Sequence, residues 1–236
     1  MKRVVVTGGN GKIAAIIAKY LAKECEFTFL DRHPMVGLGP VRCAQVDIVK
    51  ERSRFIGEFV GMDVAIHLAW NNVERWDGGE AFPPNLFMAE NFFDAAREAR
   101  VKKLIVASSI HAVNWRAWSG EGRLTPEVAI PPLTSYGHSK LLIEKLCRLY
   151  AEKYGMDVTC IRFGGVDPSD IVRHEVDYRR IMLTAKDCAA CIKCGLEAKP
   201  VYGNFSVFYA VSDNTTRPFS WENKWRWAPQ DNCEIS

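Results

Sequence analysis

The sequence predicts an α/β chain: a doubly wound parallel sheet followed by a small carboxy-terminal lobe. Three observations carry this. Apolar runs of strand length recur at KRVVVT, EFTFLD, VRCAQVD, DVAIHLAW, KKLIVASS and DVTCIRFGG, and near-continuous apolar runs mark strands covered on both faces. Segments with helical spacing separate most of these runs, and such alternation gives right-handed crossovers and parallel pairing. After Gly165 the alternation gives way to a helix-like stretch from Tyr178 to Cys194, an alternating strand FSVFYAVS and a Trp-rich polar tail. The boundary is therefore placed between residues 164 and 165, with the second part expected to cover the ends of the strands, where open parallel sheets bind ligands.

Each element has its own justification. KRVVVT has a basic start but too short an apolar core for a leader, and reads as a buried first strand. Helical periodicity is clearest from Asn85 to Arg100 and from Ser135 to Tyr154, the latter closing at Gly155, which suits a helix carboxy terminus. No stretch of about eighteen apolar residues exists to span a bilayer. A net charge of +3 over 236 residues, with Lys and Arg dispersed, leaves no electrostatic footprint for nucleic acid or an anionic membrane. The eight cysteines lie mostly in apolar periodic segments. They read as reduced thiols, which gives a cytoplasmic expectation.

Between VVV and AAIIAKYL the small residues fall as Gly8, Gly11 and Ala14. Gly8 permits a tight turn, Gly11 lets backbone approach a pyrophosphate, and Ala14 lets helix and strand pack closely. The helix then points its free N–H groups at the phosphates. EFTFLD ends in Asp31, about twenty residues on, where a carboxylate accepts bonds from ribose hydroxyls. Its charge disfavours a 2′-phosphate and selects NAD over NADP, with Arg32 beside it pulling the other way.

In LTSYGHSKLLIEK, Tyr136 and Lys140 stand four apart and share a helix face. An ammonium beside a phenol favours the phenolate, which suits a general base. The strand LIVASS ends in Ser108 and Ser109, placing a hydroxyl donor at a strand's carboxyl end. Together these residues describe alcohol-to-carbonyl redox chemistry beside a nicotinamide.

TGGNGKIA, Asp31, VDI with Asp47, HLAW, the run from Asn85 to NFFDAAR, VASS and YGHSK resemble the extended short-chain dehydrogenase/reductase superfamily, in its NAD-dependent epimerase/dehydratase group. ASSIHAV, YAVSDNTTRPFSWEN and RWAPQDNCE resemble segments of the uronate dehydrogenases within it. The resemblance implies a Rossmann domain over residues 1–164 and a substrate lobe over 165–236. It implies oxidation of the anomeric carbon of a uronate to a lactone, with Tyr136 as base, Lys140 lowering its pKa and holding the nicotinamide ribose, and Ser109 orienting the hydroxyl. It further implies that Gly8, Asn10, Gly11, Lys12 and Ile13 hold the pyrophosphate, Asp31 the ribose, and Asp47 with Ile48 the adenine. Leu68 and Ala69 would border the cofactor, Asn85 would anchor the region between cofactor and substrate, and Asn72, His111, Arg179 and Arg180 are its sugar-site candidates. Relatives often dimerise through the two long helices, so a homodimer or higher homo-oligomer is implied. This chain departs from the uronate pattern at Met88, Ile110 and Gly165, which leaves the cofactor reading intact and admits an aldose, a phosphorylated sugar or another sugar acid.

Cys188, Cys191 and Cys194 are spaced like part of an iron–sulfur run, but that run's fourth position is Ala198. They read as core thiols, His67 as a satisfied core histidine, and no metal is expected. Trp115, Trp118, Trp221, Trp225 and Trp227 fit a sugar site or an apolar cover equally well. The alternatives to a dehydrogenase are a nucleotide-sugar epimerase or dehydratase that retains NAD, and a non-catalytic NAD(H)-sensing protein.

Overall fold

The computed structural model describes residues 1–71, 83–169 and 176–235. In chain order these form β1 (Arg3–Thr7), α1 (Lys12–Leu21), β2 (Glu26–Asp31), β3 (Arg42–Gln45), α2 (Arg52–Gly57), β4 (Val64–His67), α3 (Pro83–Glu98), β5 (Lys103–Ser109), α4 (Ser135–Tyr154), β6 (Asp157–Phe163), β7 (Gly165–Val166), α5 (Val176–Arg179), β8 (Met182–Leu183), α6 (Ala185–Glu197) and β9 (Phe205–Ala210). Among the described residues seven strands make one parallel sheet in the order β3-β2-β1-β4-β5-β6-β9, and β7 with β8 makes a separate small pair. This is the doubly wound sheet that the apolar runs predict.

Alternate residues of each strand face opposite sides. Val4, Val6, Phe27, Phe29, Val64 and Ile66 pack with α1 and α6, while Val5, Leu30, Ala65, Leu104 and Val106 pack with α2, α3 and α4. α6 and β9 come from beyond Gly165, so the sequence division at 164/165 runs through the sheet and its helical cover.

The long helices keep close to their expected bounds. α4 is capped by Thr134 Oγ1, which accepts from Gly137 N at 3.1 Å, and ends at Gly155 in the left-handed region with φ 67°. α3 runs two residues earlier than the periodicity indicates and closes on Arg100, itself left-handed with φ 61°, as Val101 N reaches back to Ala96 O. The helix expected from Tyr178 to Cys194 is broken into α5, β8 and α6. Thr184 caps α6 by accepting from Asp187 N, and the Met182 carbonyl is taken by Ser212 N and Asn214 Nδ2, so the chain cannot stay helical between them.

The tail is clasped to this region by side chains. The Asp187 carboxylate accepts from Ser212 Oγ, Gln230 N and Asp231 N. Trp225 and Trp227 close over Phe208, Phe219 stacks on Tyr209 at 4.5 Å, and Trp115 meets Phe219 edge-on. These contacts make Trp115, Trp225 and Trp227 apolar cover. Cys188 and Cys191 are fully buried on the inner face of α6 and Cys194 is partly so. His67 is buried, its Nδ1 2.8 Å from Thr7 Oγ1, and burial pushes its pKa down to about 3, with the Lys140 charge adding to the effect.

A buried ion pair locks α4 onto the sheet. Arg162 of β6 donates through Nε and Nη2 to both oxygens of Glu144 at 2.9 and 2.8 Å and through Nη1 to Tyr209 Oη at 2.8 Å, and Ser108 Oγ donates to the same carboxylate. Truncating one partner strands the other charge away from water, at a cost of about 3–5 kcal/mol. Glu144→Ala is expected to lose stability of that order in urea unfolding, and Arg162→Met with Glu144→Met together to lose much less.

Candidate active site

The sheet winds one way from β1 to β3 and the other way from β4 onward, so a crevice opens between the carboxyl ends of β1 and β4. A cavity of about 790 Å³ lies there, lined by residues that follow β1, β2, β3, β4, β5 and β6.

The glycine turn forms its floor. Gly8 has φ 79°, and a Cβ there would stand 2.7 Å from Ala69 N, so the β1 turn and the β4 end touch as only glycine permits. Gly8 N and Gly9 N both donate to Leu30 O, and Gly11 N closes the turn on Gly8 O. α1 then starts at Gly11 with no side-chain cap and no acidic residue in its first turn. Uncapped amides at a helix start, with Lys12 beside them, suit a diphosphate. Asp31 accepts from Asn10 N on one oxygen and from His33 N on the other, both at 3.0 Å, which fixes the carboxylate at the rim where a ribose diol would lie. These donors and acceptors fit NAD, which would supply the hydride acceptor.

Of the sequence-predicted cofactor residues, Gly8, Asn10, Gly11, Lys12, Ile13, Asp31, Asp47, Ile48, Leu68, Ala69, Tyr136 and Lys140 line this one cavity. Asp47 carries a local duty as well: its Oδ1 accepts from Val49 N and Lys50 N, holding the turn before α2. Asn85 is buried behind the wall, where it exchanges two bonds with the Asn71 backbone and so braces the loop after β4.

The first two turns of α4 bring Tyr136 and Lys140 to the cavity. Gly137 allows it, since a Cβ there would meet His111 O at 2.2 Å. Lys140 is buried and donates to Ala107 O at 3.0 Å. Burial pulls its pKa down to about 7, against the opposing influence of Cys160, Glu144 and Cys147. Burial raises the pKa of Tyr136, and a side-chain hydrogen bond with Ser109 opposes the rise. In this geometry Ser109 is the hydroxyl's immediate partner, and Lys140 Nζ stands 5.7 Å from the phenol ring centroid.

The two serines at the end of β5 divide their work. Ser108 faces the cavity with its hydroxyl committed to Glu144, whereas Ser109 lies outside the lining, where it pairs with Tyr136 and accepts from His111 N. The His111 ring lies 6.2 Å from that of Tyr136, outside the cavity lining. Arg179 and Arg180 also lie outside the lining, and Arg180 Nε donates to Thr216 O. Asn72 falls outside the described residues.

Residues 4–167 match the NAD dependent epimerase/dehydratase family. The chain belongs to that family. It is 28% identical to the uronate dehydrogenase of Agrobacterium fabrum, over 99% of this chain and 86% of that enzyme. It is 27% identical to the L-arabinose 1-dehydrogenase (NAD(P)(+)) of Haloferax volcanii, over 84% of each chain. A crystal structure of a mutant uronate dehydrogenase from Agrobacterium tumefaciens complexed with NAD superposes with a TM-score of 0.85 at 25% identity, covering 100% of this chain and 87% of that one. The cavity described above thus lies at the switch point of an NAD-dependent fold.

Several lining residues of this family member escape the sequence reading. Trp70, Lys50 and Gly164 are among them. Gly164 carried a signal in the GG that ends DVTCIRFGG, and Trp70 directly follows the HLA expected to border the cofactor. The five tryptophans weighed for the sugar site lie outside the cavity lining, whereas Trp70 is part of it.

The buried lysine gives a pH signature. Unfolded, Lys140 keeps its proton to about pH 10; folded, it releases it near 7. Between those values the unfolded chain binds more protons, so its burial penalty shrinks as pH rises. Lys140→Met is expected to be more stable than wild type at pH 6.5, with the gap narrowing by pH 9 in urea unfolding; a gap independent of pH contradicts the low value.

Proposed function

We propose that this protein oxidises a free sugar or sugar acid, uronate-like in the first instance, by hydride transfer to NAD. The observation that carries the reading is the convergence of an uncapped glycine turn, a rim carboxylate, Tyr136 and Lys140 on one cavity, with Ser109 paired to Tyr136 from outside the lining. Similarity along nearly the whole chain to a uronate dehydrogenase supports the substrate class.

In this reading Ser109 and Tyr136 bind the hydroxyl of the carbon to be oxidised. Tyr136, as phenolate, accepts that hydroxyl's proton while the carbon's hydride leaves for NAD, and the carbon becomes a carbonyl. Where the carbon is anomeric, the product is a lactone. Lys140, buried beside the phenol, stabilises the phenolate when it holds its proton and so works against the burial that raises the pKa of Tyr136. His111 and the arginines after Asp177 are the groups that would meet the sugar, an arginine fork being suited to a carboxylate. The same reading includes a homodimer through α3 and α4, whose surfaces expose Phe87, Leu142 and Leu149.

NAD with a panel of free uronates, aldoses and nucleotide sugars, followed at the NADH absorbance, tests the reading. Reduction with a free sugar or uronate is expected; interconversion of nucleotide sugars without net NADH establishes the epimerase alternative, and NAD binding without turnover the sensor. Tyr136→Phe is expected to lower turnover at least about 100-fold with NADH affinity nearly unchanged, and retention of most activity removes Tyr136 as the base.

A further inference from the structure

Trp70 follows β4 on the cavity wall, one residue beyond Ala69. Lys140 Nζ lies 3.7 Å from its ring centroid, and the indole meets the Tyr136 ring at 5.4 Å with the planes 89° apart. An ammonium over an indole face is attracted by the ring quadrupole, and edge-to-face ring pairs are directional. We propose that Trp70 is a positioning residue for the Tyr136–Lys140 pair, holding the ammonium against its face and the phenol ring perpendicular to its own. The proposal deepens the functional reading above and rests on it for the pair's role in proton transfer.

The other groups facing Lys140 do not make the indole redundant. On α4 they are Tyr136, Glu144 and Cys147; β6 presents Cys160, with Arg162 behind Glu144; β4 presents His67, and β5 the Ala107 carbonyl. The carboxylate of Glu144 is already shared among Arg162 and Ser108, which drains much of its attraction for the lysine. His67 stays neutral, and the Cys160 thiol is raised well above its ordinary range by burial. Trp70 therefore supplies attraction to a cation whose formal counter-charge is committed elsewhere, and it does so from the side on which cofactor and substrate would enter.

The test is made on the cofactor-free protein. Lysine labelled with ¹³C at Cε is titrated by NMR, the Lys140 resonance being assigned by its loss in Lys140→Arg. Trp70→Leu is expected to lower the Lys140 midpoint by about 0.5 to 1.5 pH units, the span of a partly desolvated cation–π contact. Trp70→Phe, which keeps a ring face, is expected to lower it by less than half as much. An unchanged or raised midpoint in Trp70→Leu overturns the proposal. Should Trp70→Leu fail to melt cooperatively, Trp70→Met removes the ring in its place under the same criterion. With a substrate in hand, the pH profile of kcat is expected to move with the midpoint while KM for NAD changes less than threefold. A shifted midpoint together with a fully active Tyr136→Phe keeps Trp70's hold on the lysine but removes the functional reading; an unshifted midpoint with an inactive Tyr136→Phe does the reverse.

Discussion

A single carboxylate, that of Glu144, holds α4 to the sheet. Its two oxygens take both forks of Arg162 and the hydroxyl of Ser108, so α4, β5 and β6 meet at one point below the cavity, and Tyr209 of β9 joins through the third guanidinium nitrogen. Two turns of helix lie between Tyr136 and Glu144. The heights of the phenol and the ammonium above the strand ends are therefore set by a contact too far below them to touch a ligand. A buried pair adds little net stability by itself, because desolvating both ions costs as much as their attraction returns. What it confers is position: no alternative register of α4 satisfies both charges.

Around that anchor the site is assembled by close approaches that tolerate no side chain. Gly8 lies against the Leu68–Ala69 backbone, and Gly137 against the carbonyl of His111. The first brings the phosphate turn to the end of β4; the second lets the amino end of α4 settle on the turn after β5. Asp31 completes the cradle, its two oxygens gripping amides from two different loops. Donors and acceptors fixed in this way need little further ordering when a dinucleotide arrives, which lowers the entropic cost of binding.

The parts legible in the sequence share one property: their signal is local and periodic. Strands such as VVVT and LIVASS announce themselves because both of their faces are buried, and the glycine turn because Gly8 and Gly11 fall at fixed offsets from β1. Asp31 follows from its distance to that turn. The tail carries no such period. Its order comes from polar side chains distant in sequence, Asp187 holding Ser212 and Asp231, and Asn214 holding Met182, so a stretch that reads as one helix is broken by carbonyls claimed from elsewhere. The serine pair shows the same limit at smaller scale. Ser108 and Ser109 are adjacent and chemically identical, and strand alternation alone decides that one bonds Glu144 and the other Tyr136.

The reversal of winding also dictates how the molecule comes into being. All sheet pairings among the described residues are parallel, so none can form as a hairpin, and the pairing of β1 with β4 matches Val4 to Val64 and Thr7 to His67. Sixty residues of chain must close before those partners meet, a search that slows folding relative to local pairing. The cavity opens at that seam. A chain that has emerged only as far as Asp31 has the turn and the rim carboxylate but no opposite wall. The complete cavity thus belongs to the assembled sheet and to no fragment of it.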